Sequence, residues 1–284
     1  MFPIADLLPQ LPRLKIVDVG AMTLGDGTEP YTSLMKALPC EVIGFEPIQA
    51  ECDKLNAQAK PHRKYLPYFI GDGSAQTFYE CNMPMTSSLF EPNTELLDKF
   101  HNLENLTRVV KTHAVQTKRL DDIPELAGTD YLKVDVQGGE LLVYLGGPRT
   151  LADAAVVHTE IEFVPMYKNQ PLFADIDAHL RSRGFALHRI PGFSGRTFKP
   201  LIVKNDVNAL LSQIMWADAV YVRDFMNFDR TPPAQLLKIA AILHENYRSY
   251  DLAAYALGAH DRQTGGTLQP SYLNRLTGRA PAKG

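Results

Sequence analysis

Asp130–Glu140, DYLKVDVQGGE, is the stretch whose reading decides the fold. It reads as a short apolar strand with charged groups, Lys133 and Asp135, at its exit. A turn follows through Gly138 and Gly139, and a helix opens with Glu140 in its first turn. In an open α/β sheet, ligands sit beyond the carboxyl ends of the strands, beside the crevice where strand order reverses. This stretch is therefore expected to form one wall of an active site. The earlier stretch Lys15–Ala21, KIVDVGA, supplies the opposite wall.

Working outward, the N-terminal part has a βαβαβ rhythm. Leu14–Val19 reads as a buried strand, followed by a loop with Gly25 and Gly27 and a helix over Glu29–Leu38. Glu41–Phe45 is a second strand, Ile48–Lys60 a second helix, and Tyr65–Ile70 a third strand ending at Gly71-Asp72-Gly73-Ser74. Short connections of this kind predict a parallel sheet covered on both faces. In the less regular middle, Gln76–Glu80 and Val109–Thr117 look extended, and Asn93–Phe100 reads as a helix. Tyr131–Val136 and Val156–Phe163 are the fourth and fifth strands, Phe173–Arg183 a helix, Phe185–Ile190 the sixth strand and Ala217–Arg223 the seventh. Val207–Met215 reads as a short helix. Past the helix-start signal Asp229-Arg230-Thr231-Pro232-Pro233, Ala234–Tyr247 and Asp251–Asp261 form an alanine-rich αα-hairpin, and the tail after Thr264 reads as loosely held. The expected division is residues 1–228 as the sheet domain and 229–284 as the hairpin and tail. The hairpin has either the sheet domain or a second copy of the chain to pack against, which leaves a homodimer open.

The totals exclude several classes. The chain has 284 residues with 45% hydrophobic, enough to bury a core and too apolar for disorder. A net charge of −3 without a basic block lacks the footprint of a nucleic-acid binder. No apolar run approaches a membrane span. The N-terminus has neither a basic start nor a signal-peptide core, which points to the cytoplasm. Cys40, Cys52 and Cys81 form neither a zinc pattern nor a disulfide framework, as expected of thiols in a reducing compartment.

The candidate chemistry lies at strand ends. Asp18 and Gly20 close the first strand, and a glycine there lets a ligand approach the backbone. Glu46, before Pro47 at the end of the second strand, suits the two hydroxyls of a ribose. Asp72, before Gly73, ends the third strand and suits an adenine amino group or a plain turn. A phosphate site would avoid three carboxylates, whereas an adenosine ligand carrying a sulfonium and an amino acid would not. That favours S-adenosylmethionine over a dinucleotide, as does the lack of a full G-x-G-x-x-G after Gly20. By the period of two, Lys133 and Asp135 share one face of the fourth strand, and His158, Glu160 and Glu162 one face of the fifth. Lys133 pairing with these acids competes with a role for Asp135 or a glutamate in taking a proton from a hydroxyl. His158 is a further candidate base. Ser87 and Ser88 read either as helix caps or as contacts to the cofactor.

Several stretches in order carry a resemblance: IVDVGA (Ile16–Ala21), GFEP (Gly44–Pro47), SSL (Ser87–Leu89), TKRLDDI (Thr117–Ile123), YLKVDVQGGE (Tyr131–Glu140), HTEIEF (His158–Phe163) and the late WADAVYVRD strand. Together they resemble the FkbM family of S-adenosylmethionine-dependent methyltransferases, over roughly Leu14 to Arg223. The resemblance implies a Rossmann-like class I methyltransferase fold, α/β, with a seven-stranded, mostly parallel sheet in the order 3-2-1-4-5-7-6, the last strand antiparallel and helices on both faces. The C-terminal αα-hairpin lies outside that core. It also implies O-methylation of a hydroxyl on a sugar, glycan or polyketide-type small molecule. Carried over by position, Asp18 and Gly20 face the methionine part of the cofactor, Glu46 the ribose and Asp72 the adenine, with Asp135 near the methyl. The candidate cofactor set is Asp18, Gly20, Ala21, Glu46, Pro47, Asp72, Gly73, Ser88 and Asp135. The candidate catalytic set is Asp135, Glu160 and His158, and no metal ligands are assigned. This sequence departs from the family's pattern in the loop after Gly20, and Gln137 stands where the family often has an acid. The rival expectation is a methyltransferase-like domain without catalysis, acting as an interaction module through its C-terminal helices. Nucleic-acid methylation is disfavoured by the acidic balance and by the lack of an Asn/Asp-Pro-Pro-aromatic motif.

Overall fold

Runs such as Leu14–Val19 and Tyr131–Val134 are buried on both faces, so the strands they form must be covered on both sides. The computed structural model describes residues 2–21 and 29–278. The expected loop with Gly25 and Gly27 lies outside them.

The strands are β1 (Leu14–Val19), β2 (Cys40–Phe45), β3 (Arg63–Leu66), β4 (Ala75–Cys81), β5 (Val109–Gln116), β6 (Tyr131–Val134), β7 (Val156–Glu162), β8 (Phe185–Arg189), β9 (Phe193–Gly195) and β10 (Ile214–Arg223). The helices are α1 (Thr32–Ala37), α2 (Gln49–Gln58), α3 (Thr94–Leu97), α4 (Leu103–Leu106), α5 (Glu140–Leu145), α6 (Pro148–Asp153), α7 (Phe173–Ser182), α8 (Pro233–Ile242), α9 (Tyr250–Thr264) and α10 (Leu268–Thr277). The main sheet runs β3-β2-β1-β6-β7-β10-β8, with β10 antiparallel to β7 and β8. This is the expected order 3-2-1-4-5-7-6. The short β9 pairs with β10 as an eighth strand, in a segment read from sequence as a loop or hairpin. β4 and β5 pair with each other in a separate antiparallel ribbon.

Strand alternation divides the core. Leu14 and Ile16 of β1 point to one face, where they meet Tyr131, Val220 and the buried sides of α8, α9 and α10. Val17 and Val19 point to the other, against Val143, Leu151, Ile176 and Leu180 of α5, α6 and α7. The C-terminal helices thus bury their apolar side on the chain's own sheet. Cys40, Cys52 and Cys81 are buried and unpaired. Among the described residues no helix is long and apolar enough to cross a membrane.

Several expectations need correction. β3 stops at Leu66 because Pro67 cannot donate to a ladder, so Asp72 follows a loop and not a strand of the sheet. Residues 207–213 are not helical: Asp206 takes the Asn208 amide at 2.8 Å in a turn, and β10 already begins at Ile214. Up to Gly278 the chain after Thr264 is not loosely held: Leu268–Thr277 form α10, and residues 279–284 of the expected tail lie outside the described residues. Tyr272 of α10 is fully buried, donates or accepts a 2.8 Å hydrogen bond with His244 Nδ1, and packs edge-on against the Phe2 ring. Tyr272→Ala is expected to lower stability by about 3–5 kcal/mol, the usual cost of truncating a buried aromatic. A urea unfolding midpoint within error of the parent protein would show that α10 contributes nothing to the core.

Candidate active site

The ends of β1 and β6 are held together by one buried cation. Asp18 pairs with Lys133 in register across the two strands. The Lys133 ammonium donates to the Gly20 carbonyl at 2.8 Å and lies 3.2 Å from Asp18 Oδ1 and 3.6 Å from Asp135 Oδ2. Burial works against the charge, but Asp18 and Asp135 more than offset it and raise the Lys133 pKa above the ordinary lysine value. Asp18 Oδ2 accepts a 2.7 Å hydrogen bond from Tyr31. Gly20 has φ +83°, and any Cβ there would strike the Asp135 carbonyl. Only glycine tolerates both conditions, so the two crevice walls touch through backbone. Ala21 is buried and donates its amide to the Phe45 carbonyl at 3.1 Å, which ties this turn to β2.

Glu46 follows β2 and is buried. Its Oε1 accepts the Ile48 amide at 2.9 Å, and burial raises its pKa. Pro47 is half-buried beside it. Asp72 Oδ1 accepts from the Ser74 amide at 2.9 Å and the Ser74 hydroxyl at 2.5 Å, bonds that lower its pKa. Its carboxylate closes its own turn, in which Gly73 donates its amide to Thr117 Oγ1 at 3.1 Å. Neither serine of Ser87-Ser88 N-caps a helix: Ser87 instead ends the short 3-10 turn Pro84–Thr86, and Asn93 N-caps α3. Ser88 is buried, donates to the Gln137 carbonyl at 2.6 Å and accepts from the Phe90 amide at 2.9 Å.

Beyond β6 the chain turns sharply at Gln137, which has φ +56°, a left-handed conformation unusual for a residue with a side chain. The turn aims the Gln137 amide between two acids: Nε2 donates to Asp135 Oδ1 at 3.0 Å and to Glu160 Oε2 at 2.7 Å. Asp135 remains partly open to solvent, with 38% of its side chain exposed. Glu160 and Glu162 have pKa values raised well above the carboxylate range by burial and by neighbouring acids. Glu140 opens α5, accepts the Val136 amide at 2.8 Å and is pushed up to about 7 by burial. The carboxylates of Glu140, Glu160 and Glu162 converge, with one oxygen of each within 4.8 Å of the others.

His158 is buried on the same face, but both ring nitrogens are engaged. Nδ1 is 3.0 Å from the Tyr247 hydroxyl and Nε2 is 3.4 Å from Asp218 Oδ1. Tyr247 also shares a 2.7 Å hydrogen bond with Tyr131. His158 thus joins the sheet to the C-terminal helices. Tyr31 and the bridging role of Gln137 were missed from the sequence. Tyr31 lies in no motif, and a glutamine where an acid was expected gave no hint of spanning two others.

A sheet in the order 3-2-1-4-5-7-6 with its seventh strand antiparallel is the fold of a class I methyltransferase, a class that works with S-adenosylmethionine. Residues 18–187 match the Methyltransferase FkbM domain, and the chain belongs to that family. No curated protein matches the chain in sequence. Among solved structures, a Thermoplasma acidophilum protein assigned as a methyltransferase is 10% identical, over 78% of this chain and 75% of its own, with a TM-score of 0.36. An antibiotic-related methyltransferase is 14% identical over 77% and 92%, with a TM-score of 0.33. The 16S rRNA (adenine(1408)-N(1))-methyltransferase of Catenulisporales acidiphilia, solved with SAM, is 16% identical over 78% and 92%, with a TM-score of 0.33.

Lys133→Met leaves the Asp18 carboxylate buried without its cation and is expected to cost about 3–5 kcal/mol of stability. Adding Asp18→Asn should return part of that loss, because the uncompensated charge is then removed. Equal, additive losses in a denaturant-melt cycle would show that the pair is not coupled.

Proposed function

We propose that this methyltransferase is an O-methyltransferase acting on a hydroxyl of a sugar, glycan or polyketide-type small molecule. The observation that carries the reading is the half-open Asp135 carboxylate at the crevice, fixed by Gln137 against Glu160. A neutral hydroxyl can donate a hydrogen bond to such a carboxylate, which orients its lone pair and receives its proton as the oxygen becomes an ether.

The residues present suit the cofactor: a glycine that admits close backbone approach, and a buried carboxylate at the end of β2. We assign Glu46, with Pro47, to the ribose hydroxyls. Gly20 and Ala21 would border the methionine part, with Asp18 acting through Lys133 behind them. Asp72 and Gly73 would border the adenine, and Ser88 would hold the Gln137 turn. When bound, S-adenosylmethionine supplies an electrophilic methyl on a sulfonium. Asp135 would orient the acceptor, and Glu160, through Gln137, would set the position of Asp135. His158 has both nitrogens engaged, so we give it a structural role rather than that of a base. Three buried free thiols suit a reducing compartment, and we assign the enzyme to the cytoplasm. The rival reading, an inactive interaction module, loses support because α8–α10 spend their apolar sides on the chain's own core.

S-adenosylhomocysteine at millimolar concentration should raise the melting temperature, and Glu46→Ala should remove the shift. Asp135→Asn should keep the shift and lower turnover by about 10²-fold or more. Turnover is read by untargeted mass spectrometry of extracts given labelled cofactor, where the methyl gain should fall on oxygen. Methyl gain on nitrogen or carbon, or full turnover in Asp135→Asn, would overturn the assignment.

A further inference from the structure

We infer that Glu140, Glu160 and Glu162 form a binding site for a divalent cation of the hard, oxygen-preferring kind: magnesium, manganese or calcium. One carboxylate oxygen from each lies within 4.8 Å of the others. Acidic clusters are common, and convergence alone would not single out a cation. The further observation is Glu162. It is 1% exposed, and among the described residues neither of its oxygens has a hydrogen-bond partner. A buried carboxylate normally has donors or a counter-charge, because its desolvation is otherwise uncompensated. Among the described residues no Lys or Arg forms an ion pair with any of the three glutamates. Lys133 is committed to Asp18, Asp135 and the Gly20 carbonyl.

The spacing suits a metal centre. Ligand oxygens opposite each other stand about 4 Å apart around magnesium and about 5 Å apart around calcium. The donor set contains oxygen and neither imidazole nor thiolate, which selects hard ions over zinc or copper. The glutamates come from the rigid end of β7 and the first turn of α5, so their convergence does not depend on a loop. The site adjoins the crevice, since Glu160 also takes the Gln137 amide that holds Asp135. A bound cation would fix the Glu160 carboxylate and, through Gln137, the orientation of Asp135. The inference stands on the three glutamates and not on the nature of the methyl acceptor.

The test uses the full chain, stripped with EDTA and titrated with Mn²⁺. Binding is followed by the electron paramagnetic resonance of the free ion and by calorimetry. One equivalent should bind, excess Mg²⁺ should displace it, and the ion should raise the melting temperature. Glu162→Gln and Glu160→Gln should each weaken Mn²⁺ binding at least tenfold. In EDTA, Glu162→Gln should melt at or above the parent temperature, because one of three crowded buried acids is replaced by a neutral amide. Glu46→Ala should bind Mn²⁺ normally while losing the S-adenosylhomocysteine shift, which separates this site from the cofactor assignment. If Glu162→Gln does not fold, Glu160→Gln decides. No Mn²⁺ bound at millimolar ion, or equal affinity in the parent and the glutamine variants, would overturn the inference; the acids would then share protons rather than a metal.

Discussion

The Lys133 ammonium is buried where β1 and β6 end, and three oxygen-bearing partners hold it there: Asp18, the Gly20 carbonyl and Asp135. Removing one member of a buried ion group typically costs several kcal/mol, because the remaining charge cannot return to water. The chain therefore has little freedom to move one crevice wall against the other. This cation neutralises the acid behind the first turn, fixes the carbonyl of the residue that must be glycine, and stands beside the partly exposed Asp135. The rest of the site is arranged around that fixed point.

A polar layer extends from it along the strand ends. Asp18, Lys133 and His158 follow one another across β1, β6 and β7, with Glu160 and Asp218 in register one step further on. Each is answered differently: Asp18 by a lysine and a tyrosine hydroxyl, His158 by Tyr247 and Asp218, Glu160 by Gln137. Gln137 occupies a left-handed turn to reach two acids at once, a conformation that typically costs about 1 kcal/mol or more and persists where surrounding contacts enforce it. Ser88 and Tyr167 supply such contacts from outside the sheet, the first to its carbonyl and the second to its Oε1 at 3.4 Å.

The sheet was legible because its signals are local. Apolar runs closed by Asp18-Val19-Gly20, Glu46-Pro47 and Gly138-Gly139 mark strand ends whatever surrounds them. Where the reading failed, a distant partner or one unweighed residue decided. Pro67 cut the third strand short, and Asp206 with Asn208 turned a presumed helix into a turn. Nothing near Leu268–Thr277 announces that Tyr272 will meet His244 and Phe2. In the candidate site, the period of two grouped His158, Glu160 and Glu162 on one face; Glu160 and Glu162 converge at the end of β7, while His158, nearer its middle, turns to Tyr247 and Asp218. The period could not reveal that a tyrosine 89 residues downstream would occupy the histidine, nor that Glu140 would approach Glu160 and Glu162 from another element.

The buried layer under α8–α10 joins stretches that are far apart in sequence. Ile4, Leu14, Ile16 and Val42 share it with Leu236, Ile239, Leu257 and Tyr272, and the Ile4 amide donates to Glu245 at 2.6 Å across 241 residues of sequence. During synthesis the first βαβ unit must leave the ribosome with one apolar face bare. It stays so until residues 233–277 have been made. Contacts so far apart in sequence close slowly, and a half-covered sheet with open strand edges is prone to aggregate while it waits. Nascent chains of this protein should therefore depend on chaperones in proportion to how long translation takes to reach those last helices.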